Sequence, residues 1–216
     1  MADQPLPAEL RTDARANHER IVRAATDAFA ERGLGVEMKE IAEAAGVAVG
    51  TIYRHFPSKE DLLIAIARAM LHEAGASIER CNQMSNPIEG LRVLVAGNLV
   101  GVARFGWLAG AMHSGQLPRH HLEQLKAEMD TTGLRDRFQP LIRRAMHDGY
   151  LRADLDVAVA SAMLEGATVP WARSAVLAGR EPEQAADAIM QVFLEGAATE
   201  PRQAVSVIRP KLRQLK

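Results

Sequence analysis

The strongest constraint on this chain is the period of its apolar residues. They recur at intervals of three and four nearly everywhere, and no stretch carries the sustained alternation of β-branched residues that a sheet needs. An all-α fold follows. Ile21, Ala25, Ala28 and Phe29 form one stripe of a helix from about Asn17 to Arg32, stopped by Gly33 and Gly35. A second, short helix covers about Met38 to Ala45 and ends at Gly46. A third reaches Phe56, where Pro57 has no amide hydrogen and forbids continuation. The fourth opens on Ser58, a good N-cap, with Asp61 spaced to return the bond. Its stripe of Leu62, Leu63, Ile66, Met70 and Leu71 carries it to about Arg80. Short helix, turn, short helix and long helix make a helix-turn-helix inside a small bundle.

Asn86-Pro87 starts a fifth helix, and glycines at 90, 97, 101, 106 and 110 read as a bent pair of helices that closes at Ser114-Gly115. Another helix spans about His120 to His147, with a break marked at Thr131 to Gly133. Asp154 or Asp156 caps an eighth from Val157 to Gly179, and Pro182 opens a ninth that ends near Ala198. The resulting plan has a disordered arm at 1–16 and a helix-turn-helix domain at 17–60, with the fourth helix as connector to about 80. A second helical domain follows at 81–200, then a short helix or tail at 201–216.

Composition narrows the function. Cys81 is the only cysteine, so no internal disulfide forms, and a reducing compartment, the cytoplasm, is the expected location. The first twenty residues lack the basic start and apolar middle of a secretory signal. The apolar stretch from Leu91 to Met112 is interrupted by Arg92, Asn98 and Arg104, which favours buried helices over a membrane span. His113, His120 and His121 do not make a metal site, because 120 and 121 are expected on different helix faces and only Glu123 stands at helical spacing from His120. Ser114 beside His113 lacks the strand-turn-helix setting of a nucleophile. No enzyme activity, metal or cofactor is expected.

Charge is distributed unevenly. The net charge is -1, and residues 1–80 hold 10 Lys and Arg against 13 Asp and Glu. Binding to a polyanion must therefore rest on local placement. The stretch GVAVGTIYRHFPSK, residues 46–59, supplies that placement: it collects a tyrosine, a histidine, an arginine and a lysine with no carboxylate.

This stretch lies within MKEIAEAAGVAVGTIYRHFPSKEDLL, residues 38–63, which resembles the DNA-binding core of TetR-type transcriptional regulators. The Ile-Ala pair, the Ala-Gly-Val turn, the Gly-Thr-aliphatic-Tyr recognition helix, the His-Phe ending and the Ser-Lys-Glu start of the next helix all stand in order. The resemblance implies that Ala48, Val49 and Arg54 face the groove, with Arg54 able to bind a guanine in bidentate fashion. Gly50 lets the backbone approach closely, and Thr51, Tyr53 and His55 offer donors to phosphates. Lys59, at the start of the fourth helix, and Lys39, at the start of the second, add charge where free amides already favour an anion. One departure stands out: many members carry Ser or Thr before the second helix, and this chain has Val36-Glu37. Glu37 there either weakens DNA contact slightly or serves the helix dipole alone.

For the remainder of the chain the resemblance implies a domain for ligand binding and dimerisation. Phe105, Trp107, Met112, Met146, Met163 and Trp171 are either pocket lining or core, since methionine and tryptophan adapt to varied guests. Small or apolar residues at Ala162 and Gly166 on the eighth helix and at Ala185, Ile189, Val192 and Phe193 on the ninth suit a four-helix dimer interface. The expected protein is a repressor that binds a palindromic operator of double-stranded DNA as a homodimer. A small apolar or amphipathic effector releases it. The alternative is a small-molecule enzyme or carrier with a vestigial DNA-binding module.

Overall fold

The computed structural model describes residues 8–113, 118–134, 136–178 and 181–197, and within them the side chains of all but 8–12, 109–113 and 169–178. Among these residues the regular elements are helical: α1 (Ala8–Arg32), a 3-10 turn (Gly33–Gly35), α2 (Met38–Ala45), α3 (Val49–His55), α4 (Lys59–Asn82), α5 (Pro87–His113), α6 (Arg119–Thr131), α7 (Gln139–His147), α8 (Val157–Ala178) and α9 (Pro182–Ala197). The chain divides into two compact units, one of Met1–Met70 with Arg104–Lys126, the other of Leu71–Ala103 with Ala127–Lys216. The sequence places one boundary near residue 81; in the fold, Arg104–Lys126 groups with the N-terminal helices.

In the first unit α1 begins at Ala8 rather than Asn17. Residues 8–16, AELRTDARA, are mostly strong helix formers, so the helix extends without needing an apolar face there. The rest of the expected arm, 1–7, lies outside the described residues. Ile21, Ala25 and Phe29 are fully buried, as are Ile41 and Ala42 of α2 and Ile52 of α3. The end of α5 also belongs here: the Trp107 ring lies 5.1 Å from that of Phe29, and Arg104 stands 3.8 Å from Asp27.

Ser58 and Asp61 close a reciprocal cap at the start of α4, the serine amide and hydroxyl donating to Asp61 Oδ2 at 3.1 and 2.6 Å and the Asp61 amide to Ser58 Oγ at 3.1 Å. That arrangement is the one the sequence predicts.

The second unit is organised by α5. It is a single helix of 27 residues rather than a pair, and the expected closure at Ser114-Gly115 lies outside the described residues. Each glycine costs about 1 kcal/mol against alanine in a helix, but no proline interrupts the run after Pro87, and burial of Ile88, Leu91, Leu94, Val95 and Leu99 outweighs the propensity. By length and composition the Pro87–Leu108 stretch is apolar enough to cross a membrane. Here its first half, from Ile88 to Leu99, packs in the core of the second unit. Its Arg92, 7% exposed, donates from Nε to Asp187 Oδ1 of α9 at 2.5 Å, with Glu89 3.6 Å away. A buried pair of this kind is strongly destabilised when one partner is removed, by roughly 3–5 kcal/mol.

The marked break at Thr131 to Gly133 is real: α6 ends at Thr131, Gly133 takes φ 68°, and α7 starts at Gln139. The Thr131 and Thr132 hydroxyls donate to the carbonyls of Glu128 and Met129, and the Thr132 amide also donates to Glu128 at 3.0 Å, so the last carbonyls of α6 find local partners. Asp156 rather than Asp154 caps α8, accepting from the amides of Ala158 and Val159 at 2.9 and 3.0 Å. The Arg144 side chain closes the end of α4 by donating to the carbonyls of Asn82, at 2.6 Å, and Met84.

Gly90 permits the close approach of α5 to α4. A Cβ there would stand 2.8 Å from the Cys81 carbonyl oxygen and 2.9 Å from Leu141 Cδ2. Because the first obstacle is backbone, crowding of about 1–3 kcal/mol exceeds the helix preference for alanine of about 1 kcal/mol. Gly90→Ala is expected to lower the urea midpoint, whereas Gly101→Ala, whose Cβ meets nothing within 4 Å, is expected to raise it.

Candidate nucleic-acid interface

The turn between α2 and α3 is set by Gly46 at φ 64° and ψ 39°, a left-handed conformation that glycine adopts at little cost. Its amide donates to the Ala42 and Glu43 carbonyls, and the Val47 amide follows to Ala42 at 3.0 Å. Ala48 is extended, and its carbonyl accepts from the Thr51 and Ile52 amides to begin α3. One face of this seven-residue helix is anchored by Ile52, fully buried, and ends on Phe56, 3% exposed. The opposite face projects into solvent: Ala48, Gly50 and Arg54 are exposed, as are Val49 at 39% and Tyr53 at 49%. Arg54 has no hydrogen-bond or ion-pair partner among the described residues, so its five donors are available.

Nearby carboxylates are occupied elsewhere. Glu37 is the N-cap of α2: its side chain accepts from the Glu40 amide, while Glu40 accepts from the Glu37 amide at 2.7 Å. Arg32 Nη1 donates to the second oxygen of Glu40 at 2.6 Å. The Glu37 amide and, after it, Arg32 hold the Glu40 carboxyl below its ordinary pKa. A carboxylate thus does at Glu37 the capping that a hydroxyl does elsewhere. Lys39 is exposed and stands a loose 4.0 Å from Glu43, a surface contact worth little.

Two expected phosphate contacts have other surroundings. Lys59 does not point outward; its ammonium donates to the Leu34 carbonyl and, at 2.7 Å, to the Val36 carbonyl, and lies 5.4 Å from the Phe29 ring centroid. It fastens the 3-10 turn to the start of α4. His55 is turned toward α1, its ring 6.2 Å edge-on from that of His18, and its Nε2 is buried without a partner. Burial pushes its pKa below the ordinary histidine value, with the His18 and Arg54 charges acting in the same direction. Thr51, one helical turn before it, is half-buried. The exposed set that remains is Lys39, Ala48, Val49, Gly50, Tyr53 and Arg54.

The residues assigned to a ligand pocket fall in both units. Phe105 and Trp107 fall in the first unit, where Trp107 packs on Phe29 and donates its indole N–H to the Arg104 carbonyl at 2.9 Å. Met146 packs against the core of the second unit. The side chains of Met112 and Trp171 lie outside the described ones. Met163 is 62% exposed and instead lines a groove of about 580 Å³ between α8 and α9, beside Val159, Ala188, Ile189, Val192 and Phe193. Val159 and Val192 are 56% and 74% exposed.

Of the residues expected at a dimer face, Ile189, Val192 and Phe193 line this groove, and Ala162 and Gly166 are exposed on α8. Ala185 is 2% exposed within its own subunit and cannot reach a second one. The stripe Asp156, Val159, Ala160, Met163 and Ala167, at helical spacing, is the signal that marks the α8 side of the groove in the sequence. His120 and His121, expected on different faces, bring their rings to 4.0 Å.

Comparison with known proteins agrees with this geometry. Residues 21–66 match the model for bacterial regulatory proteins of the tetR family. The crystal structure of the TetR transcription regulatory protein from Mycobacterium vanbaalenii is 34% identical, covering 73% of this chain and 92% of that one with a TM-score of 0.59. The HTH-type transcriptional repressor KstR2 of Mycobacterium tuberculosis is 26% identical over 140 residues, 60% of this chain and 66% of the relative. The HTH-type transcriptional repressor KstR of Rhodococcus jostii is 34% identical over 143 residues, 65% of each. The chain thus spans just under two thirds of the length of these two relatives.

The clamp formed by Lys59 separates two roles. Lys59→Met is expected to destabilise the protein by on the order of 2 kcal/mol, from the loss of hydrogen bonds made by a charged donor. It is also expected to weaken DNA binding without changing the slope of log affinity against log salt. A fall in that slope of about 1 would mark Lys59 as a phosphate contact instead.

Proposed function

The chain belongs to the TetR family of bacterial regulatory proteins, and from that premise we propose that it is a transcriptional repressor, holding a palindromic operator as a homodimer and releasing it when a small apolar or amphipathic effector binds. One observation carries the reading. In a chain of net charge -1, the exposed face of α3 presents Gly50, Tyr53 and an unpaired Arg54, and no carboxylate occurs from residue 46 to 59. That is the local placement a polyanion requires.

With α3 in the major groove, Gly50 allows the helix backbone to come close to the DNA, and the Tyr53 hydroxyl and Lys39 ammonium position it on phosphates. Ala48 and Val49 suit thymine methyl groups, and Arg54 suits the O6 and N7 acceptors of a guanine. Phosphate contacts fix the register, while Arg54 and DNA shape carry the sequence preference.

A single α3 reads one half-site, so a palindrome calls for two copies. The apolar groove of α8 and α9, with Val159, Met163 and Val192 exposed on it, supports a second copy as its occupant through a four-helix interface. Repression is then relieved by an effector that prefers the dimer geometry incompatible with the operator; a coupling of about 1–3 kcal/mol suffices. The matched relatives are regulators rather than enzymes by name, and a regulator of this kind works in the cytoplasm beside its DNA.

Selection of random duplex DNA by the purified full-length protein, followed by sequencing, tests the reading. The expected product is an inverted repeat whose half-sites lie about 34–36 Å apart or a multiple of that distance. Arg54→Ala is expected to relax one base pair in each half-site, at about 1–3 kcal/mol. Enrichment of no sequence would contradict the proposal. Equal weakening on all sequences would move Arg54 to the phosphate backbone.

A further inference from the structure

The Phe29 ring, fully buried on α1, has two neighbours from different elements of the first unit. Trp107 lies in the part of α5 that belongs to this unit, and its ring centroid is 5.1 Å from that of Phe29. The Lys59 ammonium, at the start of α4, is 5.4 Å from the same centroid. Lys59 in turn donates to the Leu34 and Val36 carbonyls that precede α2. One ring is thus shared between the end of α5 and the clamp that sets the entry of α2.

The Trp107 ring is oriented by its own helix. Its indole N–H donates to the Arg104 carbonyl at 2.9 Å, one turn back, so its single donor is used and the ring follows the α5 backbone. Arg104, 3.8 Å from Asp27, gives α5 a second and more exposed contact with α1. The two interactions at Phe29 each demand a particular geometry. An aromatic pair gains beyond its burial when the rings are tilted or offset with centroids about 4.5–7 Å apart, and a cation is attracted when it stands over the ring face within about 6 Å of the centroid. The Trp107 ring, tilted by 51° at 5.1 Å, meets the first condition, and Lys59 at 5.4 Å meets the second. Because both conditions fall on one ring, a Phe29 that turns when Trp107 is lost no longer offers Lys59 the same face.

We infer that Trp107 is a positioning residue for operator binding: it fixes the Phe29 ring against which Lys59 is held, and through that clamp the direction of α3. The inference rests on the operator reading above and adds a residue outside the helix-turn-helix. From Lys59 the path continues through the Leu34 and Val36 carbonyls to α2, which packs on α1 and leads through the Gly46 turn to Tyr53 and Arg54.

A double-mutant cycle on operator affinity tests this, with affinities referred to folded protein and melting temperature recorded for every variant. Trp107→Leu is expected to weaken operator binding at least tenfold and to leave the slope of log affinity against log salt unchanged, since no phosphate contact is removed. Trp107→Phe, which keeps an aromatic ring beside Phe29, is expected to bind within threefold of the parent. In a Lys59→Met background, Trp107→Leu is expected to cost less than a further threefold, because both changes release one clamp. Additive losses, a reduced salt slope, or failure of Trp107→Phe to retain affinity would overturn the inference.

A spectroscopic measurement decides if Trp107→Leu does not fold. The chain holds two tryptophans, Trp107 and Trp171, so the full-length protein labelled with fluorotryptophan gives two fluorine resonances, which Trp107→Phe assigns. Lys59→Met is expected to move the Trp107 resonance, and Lys39→Met, at an exposed lysine of α2, to leave it in place. A Trp107 resonance unmoved by Lys59→Met, or moved equally by both, would overturn the inference. Failure of the unaltered protein to select any operator overturns the regulator reading and this inference together. An operator bound equally well by the parent and Trp107→Leu overturns the inference alone.

Discussion

The DNA-binding unit depends on one ammonium group. Lys59 Nζ reaches back across 25 and 23 residues of sequence to the carbonyls of Leu34 and Val36, with its charge against Phe29. The 3-10 turn between α1 and α2 would otherwise leave those carbonyls unmatched by protein, and the entry angle of α2 would be free to vary. Because α2 packs on α1 and leads through Gly46 to α3, the direction of the recognition helix follows from this clamp. A lysine whose position looks suited to phosphate instead holds the frame on which Tyr53 and Arg54 are displayed.

In the second unit the corresponding decision is made by charge burial. Arg92 and Asp187 form a closed pair that joins α5 to α9, and the apolar core surrounds them. The pair ties the first half of α5, from Ile88 to Leu99, into the core of the second unit. The α8 and α9 face is largely apolar and exposed, which is what the proposed second copy requires.

What the sequence revealed divides along the range of the interactions. Helix type, the Gly46 turn, the Ser58 and Asp61 cap and the burial of Ile41, Ile52 and Phe56 depend on residues close in the chain, and each was readable from spacing. Glu37 was ambiguous because its capping partner, Glu40, is an equally plausible surface residue until the amides are seen. Lys59 has surroundings other than those its position suggests, because a long side chain chooses among neighbours that only tertiary structure supplies. The glycines of α5 misled in the opposite sense, since a local propensity of about 1 kcal/mol per residue was outweighed by burial along one face.

The central claim is that the exposed face of α3 must meet phosphate and therefore excludes carboxylates. Gly50 tests it most directly, because it is exposed and a Cβ built on it contacts nothing within 4 Å, so a side chain there does not disturb the fold. The measurement is operator affinity of Gly50→Asp against Gly50→Ala, with melting temperature recorded for both. The account predicts that the two variants melt alike and that the aspartate binds operator at least a hundredfold more weakly than the alanine. Aspartate and alanine variants of equal affinity would contradict it.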